Sequence, residues 1–286
     1  MPSRAAGSSS ASPLRNDKNF CQVATPDRTY WILATGNWIM TWVKICGMTN
    51  LEDALVAVDA GADAVGFVFY EKSPRCVSVE TAREIVAKLP ESVEKIGVFV
   101  TPDADPVDVF LRVGLTGAQS YISAEGVAGS SPGKRAKAMG RDCLPPHFRS
   151  LMAFPMNLFG GDVSLVEQMV GGFADSRKKL PEGAAIPDGF LDTFLFDSGN
   201  LRQPGGTGNT FDWKKAQGLA ERLRKNGLKL VVAGGLTTEN VGEAIEILQP
   251  WGVDVVSGVE ERPGKKNPNK VRAFVNAVRE MDRKVG

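Results

Sequence analysis

Two residues in this chain have the types and positions for proton transfer. Cys46 closes the short apolar run "WVKIC" and is followed by Gly47. Asp197 closes a second run, "DTFLFDS", with "PGGTGNT" a few residues behind it. An ionised thiol can take a proton from carbon and a protonated carboxyl can give one to oxygen. A buried cysteine is often only a small apolar filler, and an aspartate often caps a turn. Placement at the ends of apolar runs beside glycines favours the acid–base reading. Arg75, in "YEKSPR", carries a fork that could hold a carboxylate by two points, or it is a solvated charge. Its neighbour Cys76 reads as packing. Gln119 and Tyr121 lie in another run, "GAQSYI".

Three glycine-bearing loops follow apolar runs: "PGGTGNT" with Gly206, Thr207 and Gly208, "AGGL" with Gly234 and Gly235, and "SGVE" with Ser257 and Gly258. Glycine lets backbone N–H groups approach an anion closely, and a helix start behind the loop adds its own donors. None matches the nucleotide P-loop, which needs G-x-x-x-x-G-K-[ST]. Each alone reads as an ordinary turn. Together, at the ends of successive runs, they point to a small phosphorylated substrate that reacts beside an acid.

The elements that must position these residues repeat. From Trp42 onward, apolar runs alternate with stretches of helical period, giving eight strand–helix units over about 245 residues. The strands are near-continuous apolar runs, as expected of a parallel sheet covered on both faces. A (β/α)8 TIM barrel fits, and a doubly wound open sheet is the alternative that periodicity does not separate. In a barrel, strand ends and the loops after them form the active face, where all the residues named above fall. Thr49 and Glu52 are spaced as a capping box for the first helix, with Gly61 as its stop. The stretch 122–149, rich in Gly, Ser and Pro, reads as an extended loop or a degenerate fourth helix.

Composition narrows the function classes. The chain has 286 residues and a net charge of +1 with signs well mixed, which argues against a nucleic-acid partner. No run of 18 apolar residues appears, so no membrane span is expected. The four cysteines form no C-x-x-C pair and there is one histidine, which argues against a zinc site. The cysteines read as reduced, in keeping with a cytoplasmic protein, although spacing alone leaves a disulfide open. Residues 1–40 read as a disordered leader without periodicity, and 41–286 as a single catalytic domain. The leader fits a non-functional extension before Met40 or a transit peptide. Monomer and homodimer both remain open.

Five blocks carry a family resemblance: "VKICGMTNLEDA", "GADAVGFVFYEKSPRCVS", "GGTGNTFDW", "VVAGGLTTENV" and "DVVSGVEERPGKK". In this order they resemble the phosphoribosylanthranilate isomerase family of tryptophan biosynthesis. The resemblance implies a (β/α)8 barrel that converts N-(5-phosphoribosyl)anthranilate to the carboxyphenylamino-deoxyribulose phosphate by an Amadori rearrangement, with no cofactor and no metal. It assigns the base to Cys46, the acid to Asp197 and the anthranilate carboxylate contact to Arg75. It assigns the phosphate to Gly206, Thr207, Gly208, Gly234, Gly235, Ser257 and Gly258.

The chain departs from the family pattern in places. Where the family reads "V-Q-L-H-G", this chain keeps Gln119 and has Tyr121 in place of the histidine. If Tyr121 points into the mouth, its hydroxyl is expected to position substrate; the other register turns it into the helical layer. Asn209 replaces the family's lysine in "GGTGKTFDW", and "GVEERPG" replaces "GVESSPG". Two other functions compete. The related isomerase of histidine biosynthesis performs the same rearrangement on a two-phosphate substrate, usually with an aspartate where Cys46 lies. A barrel that binds a phosphorylated ligand without turnover is the non-enzymatic alternative. A steady-state assay with phosphoribosylanthranilate separates them.

Overall fold

The computed structural model describes residues 20–25, 28–33, 40–100, 106–121, 148–159, 192–199 and 208–285, with part of 164–172. Eight parallel strands close into a barrel: β3 (Trp42–Cys46), β4 (Ala64–Val68), β5 (Glu94–Phe99), β6 (Gly117–Tyr121), β7 (Arg149–Pro155), β8 (Thr193–Asp197), β9 (Lys229–Val232) and β10 (Gly252–Val255). β10 pairs with both β9 and β3, and that closure excludes the open doubly wound sheet. The expected apolar runs are the strands, each within three residues of its expected ends.

Side-chain alternation assigns each strand residue to one of two cores. Val43 and Ile45 face outward and pack with helix residues such as Ala54, Val271 and Phe274. Trp42 faces inward, in a central cluster with Ile96, Leu151, Leu195 and Val231. Cys46, on the same face four residues on, belongs to a small cluster with Val68 and Val98 at the other end. At the N-terminal end Trp42 stacks on Trp251, ring centroids 5.0 Å apart. The Arg149 guanidinium lies 4.6 Å from the Trp251 ring centre and reaches Glu94 through two bonds of 2.6 and 2.7 Å. That end is thus plugged, and the C-terminal end is left for a ligand.

The described helices outside 164–172 are α1 (Leu51–Asp59), α2 (Val79–Val86), α3 (Pro106–Val113), α4 (Trp213–Lys225), α5 (Val241–Leu248) and α6 (Pro268–Val285). The described residues within 164–172 are helical, and their Val166 and Val170 are buried. The capping box of α1 lies one residue later than expected. Asn50 is the cap, accepting from Asp53 N at 2.9 Å while its amide donates to Asp53 Oδ2 at 2.9 Å. Thr49 instead donates its hydroxyl to Gly264 O at 2.6 Å, so tertiary contact overrides the local pairing.

Phe20–Thr25 (β1) and Arg28–Leu33 (β2) pair antiparallel in the N-terminal segment, with two residues between them. Their Val, Thr, Tyr, Trp and Ile content suits strand formation. The region of the fourth helix, 122–147, lies outside the described residues. Among the described residues no helix is long and apolar enough to cross a membrane.

Candidate active site

A cavity of about 380 Å³ opens at the C-terminal end of the barrel. Cys46 from β3, Gln119 and Tyr121 from β6, Asp197 from β8 and Asp254 from β10 line it. All are inward-facing residues near strand ends, where the alternation that builds the core gives way to open space. Arg75 reaches the same cavity from the loop after β4, and Gly234, Gly235 and Ser257 from the loops after β9 and β10.

Cys46 stands on a buried charged network. Lys44, two residues earlier on the same face, is fully buried and donates to Asp254 Oδ2 at 2.8 Å and to Gln119 Oε1 at 2.7 Å. Burial works against its ammonium charge, but Asp254 and the nearby thiol outweigh that and raise its pKa. Burial also pushes the Cys46 thiol up, while Lys44 and Lys266 pull it back toward the thiolate and Asp254 opposes them. Gly66 on β4, the register partner of Cys46, makes room for the pair. A Cβ there would lie 2.5 Å from Cys46 Sγ and 3.0 Å from Lys44 Cε. Asp254 Oδ1 is buried and takes no hydrogen bond among the described residues.

Asp197 is 6 % exposed and held by two donors. The Gly199 N–H donates to Oδ1 at 3.0 Å, and the Tyr121 hydroxyl donates to Oδ2 at 2.8 Å. Burial raises its pKa to about 6, against the downward pull of Tyr121 and Gly199; Asp254 adds to the rise and Lys44 subtracts from it. The carboxyl therefore keeps a proton in a useful fraction of molecules near neutrality. Tyr121 faces the barrel interior, so the helical-layer register does not occur, and its hydroxyl is engaged with Asp197. Burial, then the Asp197 charge, lift the Tyr121 pKa well above the ordinary range.

Arg75 is already clasped. Its Nε donates to Glu260 Oε1 at 2.9 Å and its Nη2 to Oε2 at 2.7 Å, a fork-to-fork contact. Lys266, 1 % exposed, adds a bond of 3.2 Å to Oε1, and the three groups form a nearly dry cluster at the rim. The two cations draw the Glu260 pKa down despite its burial. Burial draws the Lys266 pKa down as well. Arg75 thus meets the cavity with a fixed orientation.

The glycine loops are shaped by close approach. Gly234 and Gly235 have φ of 82° and 64°; a Cβ on the first would collide with Ser198 and on the second with the Asn209 backbone. A Cβ on Gly258 would strike Leu236 O, which packs the loop after β10 against the loop after β9. Asn240, at the start of α5, ties this region by accepting from Thr237 N at 2.8 Å and donating to Gly235 O at 3.0 Å. Gly234, Gly235 and Ser257 line the cavity, whereas Gly258 supports from behind. Gly208 has φ of 76° and is exposed; Gly206 and Thr207 lie outside the described residues.

Four participants escape a reading of strand ends: Lys44, Asp254, Glu260 and Lys266. For the first two a signal was present, since each is a charge inside an otherwise apolar strand, in "WVKIC" and "GVDV". A fully buried charge must be paired, so each implies the other. Glu260 and Lys266 belong to the short β11 (Glu260–Arg262) and β12 (Lys265–Lys266), and nothing local links them to Arg75. Among the described residues no group of three or more His, Cys, Asp or Glu could hold a metal ion.

Comparison with known proteins agrees with the fold. The sequence profile of N-(5'phosphoribosyl)anthranilate (PRA) isomerase matches residues 43–114 and 180–277. The N-(5'-phosphoribosyl)anthranilate isomerase of Rubrobacter xylanophilus is 42% identical over 241 residues, covering 84% of this chain and 100% of that protein. The crystal structure of phosphoribosyl anthranilate isomerase from Thermotoga maritima superposes with a TM-score of 0.63 at 33% identity, over 84% of this chain and 100% of that one. A crystal structure of such an isomerase in complex with reduced 1-(o-carboxyphenylamino)-1-deoxyribulose 5-phosphate superposes with a TM-score of 0.61 at 32% identity, over 84% of this chain and 100% of that one. The chain belongs to the N-(5'-phosphoribosyl)anthranilate isomerase family.

Proposed function

We propose that this chain isomerises N-(5'-phosphoribosyl)anthranilate with Asp197 as general acid and Cys46 as general base. The observation that carries the proposal is that the two side chains reach one cavity from different strands, with burial holding a proton on Asp197 and the Lys44 and Lys266 ammonium groups drawing the Cys46 thiol toward the thiolate against its burial. Asp197 gives its proton to the ribose ring oxygen as the bond from that oxygen to the anomeric carbon breaks. The nitrogen lone pair closes a C=N bond at that carbon. The Cys46 thiolate then removes the proton from the adjacent carbon, and the resulting enolamine tautomerises to the ketone. A proton returned from thiol to carboxylate through solvent restores the site.

Binding follows from the remaining groups. The anthranilate carboxylate meets Arg75 through Nη1, with Glu260 holding the guanidinium in place. The phosphate sits on the backbone donors around Gly235 and Ser257, with the Gly206–Gly208 loop as a further side. Asp254 Oδ1 is a ready acceptor for a ribose hydroxyl. The catalytic domain is 41–286, and every cavity-lining residue among the described residues falls within it. The chain acts in the cytoplasm, as a monomer or homodimer.

The experiment is a steady-state assay of the purified chain with phosphoribosylanthranilate and, separately, with the two-phosphate aminoaldose of histidine biosynthesis. Turnover of the first, with at most weak turnover of the second, is expected because Cys46 stands where that enzyme usually has an aspartate. Binding of phosphoribosylanthranilate without turnover would identify a ligand-binding barrel instead.

A further inference from the structure

Tyr121 and Asp197 come from β6 and β8, two strands that do not pair with each other. Between them runs β7, which presents Ala153, the register partner of Tyr121 on one side and of Leu195 on the other. Ala153 is fully buried and has almost no side chain, so the tyrosine ring can lean across it. The ring ends with its hydroxyl 2.8 Å from Asp197 Oδ2. The family pattern has histidine at this position, whose ring is shorter than a phenol. The contact is built by the pair of a long side chain on β6 and a small one on β7.

We propose that Tyr121 is a positioning residue for the acid: its hydroxyl orients the Asp197 carboxyl and competes with the proton that the carboxyl must carry. The inference rests on the reading of Asp197 as the acid and adds the group that governs it. Donation from a phenol stabilises the carboxylate over the carboxylic acid. The other groups bearing on Asp197 are the Gly199 N–H on its own loop, Asp254 on β10 and Lys44 on β3. Of these, Gly199 and Lys44 also favour the ionised form, and Asp254 disfavours it. Of these four groups, Tyr121 is the one that can be changed without altering the backbone or a formal charge.

The consequence is a specific pH dependence. Cys46 titrates above Asp197, so the productive form, thiolate with carboxylic acid, is a minor form of the singly protonated site. Its population is level between the two pKa values, falls below the lower one, and falls above the upper one. The acidic limb of the rate profile therefore belongs to Asp197. Tyr121→Phe should raise the Asp197 pKa by about one unit, the scale of one lost hydrogen bond, and carry the acidic limb upward with it.

Two measurements test this on the full chain: the carboxyl pKa of Asp197 by carbon-13 NMR, and the pH profiles of kcat and kcat/KM, for wild type and Tyr121→Phe. The substrate's own titration is common to both proteins, so the difference between them reports the protein. Expected is an upward shift of about one unit in both measurements. Tyr121→His gives a second variant with a ring at the same place. An Asp197 pKa that does not rise in folded Tyr121→Phe, with only KM altered, overturns the inference and makes Tyr121 a substrate contact. A carboxyl pKa that rises while the limb stays put overturns the acid role of Asp197 and leaves the coupling of the two side chains standing.

Discussion

Arg75 and Glu260 face each other fork to fork, with bonds of 2.9 and 2.7 Å across 185 residues of chain. A guanidinium expected to receive the substrate carboxylate is thus held by a carboxylate of the protein. The arrangement trades one strong binding mode for rigidity, so that the substrate meets a guanidinium already in place. Arg75→Lys keeps the charge but loses the planar fork. KM should rise by about tenfold or more, with kcat changed far less, in steady-state kinetics. Glu260→Gln leaves Arg75 and the nearly buried Lys266 without their counter-charge. It should lower stability by about 3 kcal/mol, seen as a fall of several degrees in Tm.

The barrel could be read from the sequence because its strands are short apolar runs at regular spacing, and Cys46 and Asp197 end two of them. The cluster around Arg75 could not, because the partners are joined only by the closed fold. The cap of α1 shows the same limit on a small scale. Thr49 had the spacing of a cap, but a carbonyl of the loop between β11 and β12 claimed its hydroxyl, and Asn50 took the role. Lys44 lay between the two cases. Its place in a buried strand announced a partner, and only the register of β3 beside β10 identifies it as Asp254.

Lys44 gives a second prediction. Its ammonium is the largest favourable charge acting on the Cys46 thiol. Lys44→Met should move thiolate formation to higher pH and carry the alkaline limb of the rate profile with it. Turnover near neutrality should fall by about tenfold or more, as expected for a shift of at least one unit. The direct check is the pH dependence of Cys46 alkylation, followed by peptide mass mapping so that the other three cysteines do not contribute. An unchanged alkylation profile in the folded variant would remove Lys44 from the mechanism.

Asp197 has a cost to the fold that can be measured. Its folded pKa of about 6 lies above its ordinary value of 3.8. A raised pKa stabilises the native state fully below about pH 4, and this contribution is lost as pH rises through about 6. The loss amounts to about 3 kcal/mol by pH 8. Asn is neutral throughout and escapes it. The Tm of Asp197→Asn relative to wild type should therefore climb by about 5–10 °C between pH 4 and pH 8. A difference in Tm that does not change with pH would mean that the carboxyl is not strained in the native site.

The central claim is proton donation by Asp197, and the turnover of phosphoribosylanthranilate by Asp197→Asn tests it most directly. Asn preserves shape and burial but cannot give up a proton to the ring oxygen. The account predicts a folded protein with KM within a few-fold of wild type and kcat lowered by about a hundredfold or more. Near-wild-type kcat in that folded variant would contradict it.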